Sequence, residues 1–95
     1  MTTARTIEIE DKYSVPFFKK IPVSIERGEG VYCWDQEGRK YIDFTAGWGV
    51  TCLGHSHSAI IDALQEQGRK IIQNPNSGLT YSPARARLLD LMSQI

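Results

Sequence analysis

Between Asp43 and His57 the sequence sets Cys52, His55 and His57 in the spacing C-x-x-H-x-H, beside Trp48 and the glycines Gly47, Gly49 and Gly54. Thiolate and imidazole are zinc ligands, but a closed site takes four of them. The chain adds only Cys33, which falls in a different predicted element, so the histidines are expected to shape the turn and cap the helix that follows it, His57 lying just before Ser58. Nucleophilic chemistry has an orienting acid, since Asp43 or Asp62 could each hold a histidine, yet no serine lies on a G-x-S-x-G elbow. Schiff-base chemistry needs an amine kept neutral by desolvation or by a neighbouring cation. Lys40 lies in a charged hairpin beside Arg39, and Lys70 on a polar helix face, so both read as solvated surface.

Glycine admits positive φ and close approach of another group, at an entropic cost ordinary connectors seldom bear so often. Spacing alone leaves two readings of Gly47, Trp48 and Gly49 open. One is a glycine-rich turn packed on the core; the other is a wall of a small-molecule pocket, with the indole as a flat apolar face. The Ser77-Gly78-Leu79 string reads as an ordinary loop, and neither a phosphate-binding P-loop nor a complete dinucleotide fingerprint occurs.

The elements that must position these residues follow from period and punctuation. Residues 1–20 read as a frayed, irregular N-terminal arm, interrupted by Pro16 and carrying Tyr13, Phe17 and Phe18. From Ile21, alternation through Val23 and Ile25 predicts a strand, a turn at Gly28-Glu29-Gly30, a β-rich run Val31–Trp34, a tight turn Asp35–Gly38 and a return over Lys40–Phe44. Short links make this a three-stranded antiparallel meander over residues 21–44. The glycine-rich stretch 45–57 leads to a helix predicted over 59–73, with Ser58 as N-cap, Asp62 in its first turn and Ile60, Leu64 and Ile71 on one stripe. Ser82-Pro83 opens a second helix over 83–95, for which no stop signal is visible. A chain ending on the apolar Ile95 reads as the front part of something longer, or as a helix that packs on another chain.

Composition bounds the function. The 95 residues carry 11 basic and 11 acidic side chains, which gives no electrostatic footing for nucleic acid or an anionic membrane. The N-terminus lacks a signal-peptide core and no apolar run reaches membrane-spanning length. Two cysteines are too few for a stapled secreted scaffold, so a cytoplasmic protein with free thiols is expected.

The order Gly28-x-Gly30-Val31-Tyr32-x-Trp34-Asp35-x-x-Gly38-Arg39-Lys40-Tyr41-Ile42-Asp43-Phe44, then Ala46–Val50, then Leu53-Gly54-His55-Ser56-His57, resembles the N-terminal region of class III pyridoxal-phosphate-dependent aminotransferases. Within that family it is most similar to the acetylornithine and ornithine aminotransferases, with 4-aminobutyrate aminotransferases as near relatives. The resemblance runs from about Tyr13 to the end, and Ser58 stands where the family usually has proline. It implies an α+β segment of a fold-type I dimer: the small antiparallel sheet followed by two helices, lending residues to the substrate side of the site. It also implies ping-pong amino transfer from an ω-amino or N-acylornithine-like donor to a 2-oxo acid, with pyridoxal 5'-phosphate as electron sink. Gly47, Trp48, Gly49 and Val50 would line the substrate side, joined by Tyr81 from the loop Asn76 to Pro83. The family's cofactor lysine, the aspartate facing the pyridinium nitrogen and the phosphate cradle fall beyond residue 95, so these residues alone are expected to be catalytically silent, with no specific cofactor binding. The alternative is a non-enzymatic self-association or interaction module derived from the family.

Overall fold

The computed structural model describes residues 1–75 and 78–95. Asn76 and Ser77, which the sequence reading assigns to a loop, lie outside the described residues. The chain forms two units, Met1–Ile60 and Ile61–Ile95.

The first unit begins with helix α1, Thr3–Tyr13, where the sequence predicts an irregular arm. Local signals for it exist: the Thr2 hydroxyl accepts from the Arg5 amide, and Arg5 pairs with Glu8 one turn on at 2.7 Å. The decisive partners lie far away in sequence. The Thr3 amide and hydroxyl donate to the two carboxylate oxygens of Glu37 at 2.9 and 2.6 Å, and the Thr6 hydroxyl donates to Gln36 at 2.8 Å. Glu37 therefore serves α1 as an acidic cap from another element, on the end of the helix where negative charge is favoured. Beyond the helix, Tyr13, Phe17 and Phe18 remain largely exposed within this chain.

The sheet is antiparallel with order β1-β2-β3, where β1 is Ile25–Glu29, β2 Tyr32–Asp35 and β3 Lys40–Ile42. The meander is as expected; its first strand sits later. Gly28 is not in a turn but pairs with Cys33, and the chain reverses at Gly30 and Val31, Gly30 having φ +58°. A bulge separates Ile25 from Arg27. Alternation puts Cys33 and Asp35 on one face of β2, where they are buried, and Tyr32 and Trp34 on the other. There the Arg27 guanidinium lies 3.9 Å from the Trp34 ring centroid and the Lys40 ammonium 3.6 Å from that of Tyr32.

Asp35, 2 % exposed, holds the second hairpin together. Its carboxylate accepts from the amides of Glu37 and Arg39, the Arg39 guanidinium and the Tyr41 hydroxyl, at 2.8 to 3.0 Å. Burial pushes the carboxyl pKa up, but the Arg39 amide, the Tyr41 hydroxyl and the Arg39 side chain together hold it below its ordinary value.

Helix α2 spans Ser58–Lys70. Its cap is His57, whose Nδ1 accepts from the Ala59 amide at 3.3 Å, rather than Ser58, and Asp62 consequently falls beyond the first turn. The helix runs through Gly68 and ends at Lys70, short of the expected residue 73. In the second unit, helix α3 spans Pro83–Met92. Its start is as expected, the Ser82 hydroxyl accepting from the Arg85 amide at 3.3 Å. Its stop is Ser93, whose amide and hydroxyl both return to carbonyls of the last turn. Among the described residues, no helix is long and apolar enough to cross a membrane.

Candidate functional site

After β3 the backbone does something no regular element requires. Ala46, Gly47 and Trp48 have φ of 50°, 54° and 59°, and Gly49 follows at 94°, so Ala46–Gly49 winds as a short left-handed turn. For a residue with a Cβ this conformation costs roughly 1–2 kcal/mol. Two such residues, Ala46 and Trp48, adopt it here. Backbone bonds hold the turn: the Trp48 amide donates to the Thr45 carbonyl at 3.2 Å and the Thr51 amide to the Ala46 carbonyl at 3.0 Å. Among the described residues no burial offsets the strain, Trp48 being 97 % exposed. A strained backbone presenting a bare aromatic ring is the kind of outlier that marks a functional surface.

The turn is anchored at its base by Asp43. One carboxylate oxygen accepts from both the amide and the hydroxyl of Thr45, each at 2.7 Å, and the Thr45 hydroxyl in turn accepts from the Gly47 amide at 3.2 Å. The other oxygen lies 2.7 Å from His55 Nε2. The bonds from Thr45 and then His55 hold the Asp43 carboxyl below its usual pKa. His55 is fixed from the opposite side by two backbone bonds with Gly30, at 2.8 and 3.1 Å. A small cavity of about 210 Å³ opens beside this network, lined by Val31, Asp43, Ala46, Thr51, Cys52 and His55. A larger one of about 610 Å³, between α1 and residues 14–25, contains none of the residues singled out for chemistry.

Gly47, Trp48, Gly49 and Val50 thus share one turn, with Trp48 and Val50 both exposed. Tyr81 belongs to the second unit, where its side chain is 97 % exposed and its carbonyl accepts from the Asn74 amide group at 3.1 Å. Of the two acids that could orient a histidine, Asp43 does so. The C-x-x-H-x-H residues take separate tasks: His55 binds Asp43, His57 caps α2, and Cys52 is an exposed free thiol. Among the described residues no group of three or more His, Cys, Asp or Glu side chains is placed to hold a metal. Sequence reading passed over Thr45, although Asp43-x-Thr45 is a pattern in which a short polar side chain bonds backbone two residues on.

A family profile described as aminotransferase class-III matches residues 14–95, and the chain belongs to that family. Its relatives are of the acetylornithine and ornithine type. It is 38 % identical over 87 residues to an acetylornithine aminotransferase of Methanopyrus kandleri, covering 92 % of this chain and 22 % of that protein. It is 42 % identical over 84 residues to a succinylornithine transaminase of Salmonella paratyphi A, covering 88 % and 20 %. The crystal structure of acetylornithine aminotransferase from Elizabethkingia anophelis superposes with a TM-score of 0.89 at 32 % identity, over 98 % of this chain and 23 % of that one. The chain spans about a fifth of the length of the relatives it matches.

The family depends on pyridoxal phosphate, which needs a lysine free for carbonyl chemistry. The Lys40 ammonium is engaged over the Tyr32 ring, and that of Lys70 pairs with Glu66 at 2.7 Å. These two lysines do not fit that role.

Proposed function

We propose that Gly47, Trp48, Gly49 and Val50 form a substrate-side wall of an enzyme that transfers an amino group from an ω-amino or N-acylornithine-like donor to a 2-oxo acid, and that Tyr81 contributes a second aromatic surface. The observation that carries this reading is the exposed indole of Trp48 on a strained turn. Bound pyridoxal phosphate supplies the electron sink of such a reaction. The residues described here bind and orient. The indole face packs on the aliphatic chain of the donor and excludes water from it, Val50 extends the apolar surface, and the bare Cα of Gly49, with open space where a Cβ would stand, leaves room for the substrate. Residues 1–95 alone carry out no amino transfer, and the working enzyme is a cytoplasmic homo-oligomer.

The test is steady-state kinetics of the holoenzyme and its W48A and W48F variants with ornithine, N-acetylornithine and 4-aminobutyrate as donors. Loss of an apolar pocket wall is expected to cost W48A about 10-fold or more in kcat/KM for the preferred donor. W48F should retain most of it, with the 2-oxo acid half-reaction unchanged. No amino transfer from any of these donors, or an equal loss with all of them, overturns the assignment.

A second reading, a self-association module, draws on a different observation. Phe44, Ile72 and Leu79 are each more than 80 % exposed in this chain, and apolar surface of that kind favours being covered. Sedimentation over a concentration series tests it, and a strictly monomeric folded species excludes it.

A further inference from the structure

We propose that Asp43, Thr45 and His55 are positioning residues for substrate selection: together they fix the left-handed turn and thereby the direction in which Trp48 presents its indole. The inference rests on the reading of Trp48 as a substrate-side wall. Its structural basis is a continuous chain of bonds. His55 is fixed to Gly30 by two backbone bonds and reaches Asp43 through Nε2 at 2.7 Å. Asp43 passes the constraint to the amide and hydroxyl of Thr45 at 2.7 Å, and the Thr45 hydroxyl passes it to the Gly47 amide at 3.2 Å, one residue before the ring.

Two features make the arrangement more than a stable loop. The turn is intrinsically unfavourable for Ala46 and Trp48, so an external constraint must select it over right-handed alternatives. Furthermore, the constraint acts on the backbone alone. Trp48 is 97 % exposed, so its ring has little packing within this chain to restore its direction if the backbone relaxes. Asp43 and His55 are 14 % and 23 % exposed at their side chains, against 97 % for Trp48, so the support is sheltered while the presented surface is not. A misdirected ring changes how well the donor is bound without altering groups that act on the transferred nitrogen, which separates KM from kcat.

The test uses the full-length holoenzyme labelled with 5-fluorotryptophan, the Trp48 signal being the one lost in W48F. T45V removes the link to Gly47, T45S retains its hydroxyl, and D43N disturbs both branches of the carboxylate. T45V and D43N are expected to shift the Trp48 fluorine signal and to raise donor KM about fivefold, the worth of one hydrogen bond, with kcat and the KM for the 2-oxo acid within about twofold. T45S restores the signal and donor KM together. A wild-type signal and donor KM in T45V overturns the proposal, as does failure of T45S to rescue. Should W48A leave donor kcat/KM unchanged, the substrate-wall reading falls, and with it the claim about selection. A signal shifted in T45V and restored in T45S would still establish that Thr45 sets the turn.

Discussion

The ring of His55 occupies the space that a side chain at position 28 would need: a Cβ built on Gly28 would lie 2.6 Å from His55 Cγ and 2.7 Å from its Cβ. These atoms are the root of the histidine, so rotation of the ring cannot clear them. G28A must therefore displace either β1 or the histidine. Overpacking of this kind costs about 1–3 kcal/mol, to be read as a lower urea midpoint for the protein. The same variant should loosen the contact between His55 and Asp43 and bring the fluorine signal of Trp48 towards that of D43N.

The left-handed turn offers a prediction of opposite sign. Ala46 has φ +50°, a conformation in which its Cβ is a burden and glycine is at ease. A46G is expected to stabilise the protein by about 1 kcal/mol. G47A should destabilise it, since its φ is +54° and its Cβ would come within 3.3 Å of the Thr51 hydroxyl. Paired thermal melts of the two variants check the contrast.

Helix α1 should depend on a residue outside it. E37A removes the carboxylate that receives the Thr3 amide and hydroxyl, leaving the first turn with Thr2 as its remaining cap. Amide hydrogen exchange across Thr3–Tyr13 is expected to accelerate while exchange in β2 keeps its wild-type rate. Unchanged protection in α1 would show that its local signals suffice.

Acid should weaken the protein by a defined route. Asp35, Glu37, Asp43 and Glu66 all have native pKa values below their ordinary ones. For Asp35, amide and side-chain bonds from Arg39 and Tyr41 outweigh burial; for Glu37 the cause is Thr3, for Asp43 it is Thr45 with His55, and for Glu66 it is Lys70. Each binds fewer protons folded than unfolded in the acid range. Their contribution is therefore complete above the unfolded values of about 4 and is lost as pH falls through the lower native values. At the alkaline end the sign reverses for Tyr41, whose hydroxyl is held above its usual pKa by its bond to Asp35 and by burial. That contribution is present below about pH 10 and disappears as pH rises through the native value. Chemical denaturation as a function of pH measures both limbs, and D35N should flatten each.

Much of this architecture is legible from local chemistry. Asp35 and Gly38 announce the hairpin turn, Ser82-Pro83 the start of α3, and the crowding of glycine around Trp48 an unusual backbone. What escapes is set by partners distant in sequence. The polar, β-branched run Thr3–Ile9 is a poor local candidate for a helix, and its anchor on Glu37 lies 34 residues away. Gly28 reads as a turn residue because the histidine that requires a bare Cα there belongs to another part of the chain. The backbone of Ala46 and Trp48 is likewise invisible, as neither residue type favours positive φ.

The cations resting on the sheet's aromatic rings have a further meaning at its margins. Among the described residues β1 and β3 are the two edge strands of the sheet, the position at which strands meet foreign backbone. Arg27 comes from one edge and Lys40 from the other, each leaning inward over the rings of the central strand. Stacking a foreign strand against either margin would bring it up to a fixed positive charge and disturb a cation already seated on its ring. Charge at edge strands disfavours edge-to-edge pairing in general, and here the two residues that bring it also decorate the aromatic face.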